Sequence, residues 1–85
     1  MNPALGEAML RLLVSRDGQD TAVRLTNGNT VLAKNVAWGR DQGEAYDHVT
    51  TNVSPPGREP VDHFLTSEVV AIMDPVSGQR LLSDG

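Results

Sequence analysis

Two short stretches, Tyr46-Asp47-His48-Val49 and Val61-Asp62-His63-Phe64, each set an Asp-His pair between one aromatic residue and one valine. Imidazoles and carboxylates bind divalent metals and move protons near neutral pH. If the stretches pair as strands, His48 and His63 approach one another. Neighbours on a strand point to opposite faces, however, so Asp47 and His48 do not easily share one ion. The plainer reading is two half-exposed histidines beside solvated aspartates. His48 and His63 are therefore weak metal candidates, and no metal or other cofactor is expected. Nucleophilic catalysis has still less to work with. The chain has no cysteine, no Gly-x-Ser-x-Gly elbow and no glycine-rich phosphate loop. The expectation is a non-enzyme.

The aromatic residues offer binding rather than chemistry. There is one Trp, one Tyr and one Phe. Exposed, Trp38 and Tyr46 would make a stacking platform for bases or an anchor for a protein. The competing role for a large ring in a small protein is to fill the core. That role is the stronger expectation for Trp38 and Phe64, whereas Tyr46 is expected outside. Asp41, Glu44 and Asp47 flank the loop after Trp38, and with Asp62 and Glu59 they could form a negative patch.

Charge points the same way. The formal net charge is −4, and the seven Lys and Arg residues are spread singly. Phosphate backbones favour clustered cations, because affinity grows with the counterions released. Arg24, Lys34 and Arg40 would have to be gathered by folding to serve. A single-stranded nucleic-acid surface of Arg24, Lys34, Trp38 and Tyr46 is thus the alternative, not the first expectation.

The elements that position these residues follow from periodicity. A chain of 85 residues makes a single small domain, 1–85, with a modest core. Residues 3–15 have apolar positions at helical spacing, with Asn2 as N-cap and Pro3 in the first turn. Glu7 would lie in the first turn of that helix. Residues 21–26 alternate as a strand, and Asn27-Gly28 is a hairpin signal. Residues 30–38 continue as a strand whose apolar phase changes, from Val31 and Ala33 to Val36 and Trp38. One extra residue near Lys34 or Asn35, a β-bulge, would restore a single inward face and bend the strand. Further strands are expected over 45–53, 61–65, 69–73 and 79–82. Ser54 to Pro60 forms a proline-rich connection, and residues 66–68 a tight turn. Pro60 suggests an edge position for the strand it precedes. The segments 29–35 and 64–73 are candidate edges for recruiting a partner's strand or a second copy. No apolar run approaches the roughly 20 residues of a membrane span, and a cytoplasmic protein is expected.

One short helix and five to six short strands without crossover helices imply an antiparallel α+β, mainly β, arrangement. The bent strand favours a small, strongly curved barrel with the helix packed on it. In this layout the chain resembles the Sm-like and SH3-like small barrels. The carriers are the helix, the hairpin VRLTNGNTVLAKNVAW with its bent second strand, and the closing hairpin SEVVAIMDPVSGQRLL. Length and order are similar to the Rof family of Rho-factor inhibitors, which are small, acidic and protein-binding. The resemblance implies a regulator or adaptor that covers a basic surface of a larger protein. The partner-binding residues would be Trp38, Asp41, Glu44, Tyr46, Asp47 and Asp62. A homo-oligomeric structural component is a further alternative.

Overall fold

The structure is a computed structural model that describes residues 1–53 and 58–84. The helix α1, Pro3–Ser15, starts as its sequence requires: the Asn2 side-chain oxygen accepts the Leu5 N–H at 2.9 Å, and Pro3 occupies the first turn. Its buried stripe is Gly6, Met9 and Leu13. Glu7 lies beyond the first turn and pairs instead with Arg11 at 2.9 Å, one helical turn on. Beyond the helix, Gly18 adopts φ +89° and donates its N–H to the Lys34 carbonyl at 2.7 Å. The Arg16 guanidinium bonds the Thr21 hydroxyl, the Asp20 carbonyl and, at 3.4 Å, Asp74.

Seven strands follow among the described residues: β1 Thr21–Leu25, β2 Thr30–Ala33, β3 Val36–Gly39, β4 His48–Thr51, β5 His63–Leu65, β6 Val69–Met73 and β7 Arg80–Ser83. They form two antiparallel sheets, ordered β2-β1-β6-β7 and β3-β4-β5. A single 3₁₀ turn, Thr66–Glu68, joins β5 to β6. The core draws on the helix and both sheets: Met9 and Leu13 meet Val23, Leu25, Val31, Ala33, Val69 and Ile72 of one sheet, and Val49 and Phe64 of the other. No helix among the described residues is long and apolar enough to cross a membrane.

Several expectations are refined. The Asn27-Gly28 turn is longer than a two-residue hairpin loop. Gly28 donates its N–H to the Leu25 carbonyl at 3.0 Å, and of the turn's residues Gly28 alone takes positive φ, at +88°. This is a turn followed by a left-handed glycine, where a type I′ turn would need positive φ at Asn27 too. The phase change at Lys34-Asn35 is real, but no bulge absorbs it. The chain leaves β2 and enters β3 in the other sheet, so the segment 30–38 is two strands. Ladder irregularities lie elsewhere, at Arg24/Leu25 and Ile72/Met73. The strand expected over 45–53 shortens to His48–Thr51, with Val53 in an isolated bridge. Of the candidate edges, β2 and β5 lie at sheet margins, while β6 is an inner strand between β1 and β7. Residues 54–57 of the proline-rich connection lie outside the described residues.

Asn52 explains why β4 stops and the corner holds. It is 1% exposed and has φ +65°, a left-handed conformation that Asn tolerates better than most residues. Its side-chain oxygen accepts the Lys34 N–H at 2.8 Å. Its amide nitrogen donates to the Leu32 carbonyl at 2.9 Å and the Pro60 carbonyl at 2.8 Å. Its backbone N–H reaches the Asn35 carbonyl at 2.8 Å. One buried amide thus binds both sides of the β2–β3 corner and the segment leading to β5.

Replacing Asn52 with Ala removes its side-chain hydrogen bonds with Lys34, Leu32 and Pro60 and the longer one to Thr51, and keeps a Cβ in a left-handed site. Denaturant titration should show a loss of about 3 kcal/mol or more. Asn52→Gly loses the same bonds but relieves the backbone, so it should lie roughly 1 kcal/mol closer to wild type. Asp74 makes a second test. Backbone N–H groups of Val76 and Ser77 hold its carboxyl below the ordinary value of 3.8, with Arg16 adding to the effect. A depressed carboxyl stabilises the fold fully above that ordinary value and loses the contribution as pH falls through the folded-state value. Thermal melts from neutral pH into strong acid should therefore show a shallower acid limb for Asp74→Ala.

Candidate functional site

Trp38 stands on β3, a margin of the second sheet. It lies opposite Val49, which is wholly buried, and Val36 lies opposite buried Thr51. Residues opposite one another across an antiparallel pair share a face. The inward phase expected for Val36 and Trp38 is therefore correct, and Val36 packs on the core. Trp38 does not fill the core as expected: it is 53% exposed. Phe64 and Met9 occupy the centre, and among the described residues no strand lies beyond β3 to cover the indole. The ring instead walls two adjoining grooves, about 540 and 390 Å³, between β3 and the helix. Val14 and Leu10 line them from the helix, Val36 and Ala37 from β3, with Asp17 and the Glu7–Arg11 pair at the rim.

The backbone of β3 is partly open. The Val36 N–H turns away from β4 to the Asp17 carboxylate, at 3.2 Å. By the alternation of an antiparallel ladder, the Trp38 N–H and carbonyl face the same open side.

Tyr46 does not join Trp38. Its hydroxyl donates to the Met1 carbonyl at 2.7 Å, and its half-buried ring lies over the first turns of the helix. Gly6 permits that approach, for a Cβ there would stand 2.9 Å from Tyr46 Cδ1 and 3.2 Å from the Thr66 hydroxyl. The expected exposed Tyr46, sharing a platform with Trp38, is thus corrected: the loop before β4 folds back on Met1 and Gly6. The acidic patch is also narrower than expected. Asp47 accepts a 2.9 Å bond from Arg40 Nη2, which keeps Arg40 more firmly protonated, and its side chain is only 9% exposed. Asp62 is half-buried, its backbone bonded to Thr51. Asp41 and Glu44 remain accessible. Arg24 lies on the outward face of β1 between Thr30 and Ala71, and Lys34 is exposed at the β2–β3 corner.

The histidines do meet. His48 and His63 stack with ring centres 5.6 Å apart, and Thr50 Oγ1 lies 2.9 Å from His63 Nδ1. The carboxylates at His48 are not those of the Asp-His pairs. Glu44 Oε2 and Asp41 Oδ2, both from the loop after β3, lie 2.9 and 3.4 Å from His48 Nε2. Sequence reasoning passed over Leu10, Val14 and Asp17 as site residues, although Val14 breaks the helical core spacing and so marks a second apolar flank.

In an interior helical position, Gly→Ala ordinarily gains up to about 1 kcal/mol. Here the added methyl meets an anchored ring, so Gly6→Ala should instead lose about 1–3 kcal/mol in denaturant titration. In a Tyr46→Ala background the same change should turn neutral or stabilising. Compared with known protein families, curated proteins and solved structures, the chain matches none.

Proposed function

We propose that this chain is a small, non-catalytic protein-binding regulator or adaptor acting in the cytoplasm, and that its docking surface is the Trp38 face. The observation that carries this is an indole more than half exposed on a sheet margin, over an apolar groove. Indoles at such positions are frequent binding hot spots, and an open strand edge recruits extended segments by main-chain pairing. The occupant is an extended segment of another protein. An apolar side chain would enter beneath Trp38, and basic residues would meet Asp17, Asp41 and Glu44. The chain's net charge of −4 favours a partner with a basic surface.

The same reading takes the two sheets as halves of a small barrel of the SH3-like or Sm-like kind. Two corners support it: Lys34-Asn35 carries the chain from the first sheet to the second, and Thr66–Glu68 carries it back.

Wild-type and Trp38→Ala proteins serve as baits in extract of the native cell, and the affinity of each captured protein is then measured in purified form. Trp38→Ala should change stability by roughly 1 kcal/mol or less and weaken the partner by about 30-fold or more. Equal affinity for both baits overturns the proposal. So does tight binding of labelled oligonucleotides that falls steeply with salt, which would favour a nucleic-acid surface through the exposed indole. A dimer by light scattering that Trp38→Ala dissolves would make a second copy the occupant instead.

A further inference from the structure

The loop between β3 and β4 gathers three side chains at one point. Asp41 and Glu44 are the first and last residues of a turn closed by the Glu44 N–H on the Asp41 carbonyl at 3.1 Å. Gly43, at φ +86°, supplies the left-handed corner that this turn needs. His48 opens β4 opposite Gly39. One ligand atom from each of Asp41, Glu44 and His48 lies within 4.8 Å of the other two.

Two arrangements bring an imidazole so near two carboxylates. In an ion pair, the protonated ring points its N–H at an oxygen and forms a hydrogen bond. Around a metal, the ion lies on the axis of the ring nitrogen and the oxygens sit beside that axis. The structure lacks the first. His48 Nε2 is shielded from solvent, yet neither carboxylate meets it in hydrogen-bond geometry, although Glu44 is only 2.9 Å away. With ligand bonds of about 2.0–2.2 Å, neighbouring donors of a tetrahedral or octahedral ion stand roughly 2.9–3.5 Å apart. The separations of 2.9 and 3.4 Å fall in that interval.

We propose that Asp41, Glu44 and His48 form a binding site for a divalent transition-metal ion, of which Zn²⁺ is the probe. One imidazole and two carboxylates suit an ion of borderline hardness, and three protein ligands leave positions for water. Asp41 has a side chain 78% exposed, which gives the ion a way in. His63 stacks on His48 and stands outside the ligand set. The site shares Asp41 and Glu44 with the docking face but includes neither Trp38 nor the groove, so a zinc titration and the affinity loss in Trp38→Ala can fail separately.

Calorimetric titration with Zn²⁺ near neutral pH tests it, using wild type, Asp41→Asn, Glu44→Gln, His48→Ala and His63→Ala. Wild type should take up one equivalent. Glu44→Gln and His48→Ala should each weaken binding by about tenfold or more, and His63→Ala should leave it unchanged. Imidazole resonances of His48 should move on addition of the ion. If His48→Ala does not fold, the two carboxylate variants carry the test. Absence of binding up to millimolar Zn²⁺ overturns the proposal. So does binding that survives Asp41→Asn and Glu44→Gln together, or an equal loss in His63→Ala, which would put the ion between the two histidines.

Discussion

The fold depends on a single buried amide. Where the chain passes from β2 to β3, two peptide groups leave one ladder before the next begins, and buried backbone groups without partners cost about 1–3 kcal/mol each. Asn52 supplies what those groups lack. It accepts from Lys34, donates to Leu32 and Pro60, and gives its own N–H to Asn35. No other side chain fits as well. Asp has no amide donor, Gln is longer and less tolerant of a left-handed backbone, and Gly has no side chain at all. With the corner fixed, β3 is committed to the second sheet and Trp38 is committed to its margin.

The helix braces the same corner from the other side. Its end is tied to the first sheet through Arg16, which reaches Thr21, Asp20 and Asp74. It is tied to the second sheet through Asp17 on the Val36 N–H, and to the corner itself through Gly18 on the Lys34 carbonyl. The groove under Trp38 is therefore framed by parts held independently of the ring that walls it. A groove supported in this way can lose its aromatic residue without losing its shape.

Much of this arrangement was legible in the residues. Asn2 and Pro3 announced the helix start, and the strand expected over 69–73 forms, although inside a sheet and not at the edge proposed for 64–73. The switch from odd to even apolar positions located the corner to within a residue. What alternation cannot convey is how far a sheet extends beyond a given strand. Trp38 has the inward phase of a core residue, and its place on a sheet margin, with no further strand among the described residues, leaves it uncovered. Tyr46 and Asp47 were misjudged for a related reason. They precede β4 in a loop that folds Tyr46 back on Met1 and Gly6, contacts distant in sequence, and turns Asp47 onto Arg40 seven residues earlier, which no local pattern encodes. The two histidines could be foreseen side by side because their strands are neighbours. The carboxylates that face His48 could not, because the turn at Gly43 sets their direction.

The place of β1 in the first sheet has a consequence for biosynthesis. One flank of β1 is covered early, by β2 across a tight hairpin. The other waits for β6, whose Ile72 lies opposite Val23 with most of the chain between them. Pairings of such long loop closure form slowly. During translation, β1 must leave the ribosome with an unpaired ladder of apolar and β-branched residues. The exposed Arg24, next to its last residue, is then the one charge in the strand that discourages nascent chains from zipping together before their own sixth strand arrives.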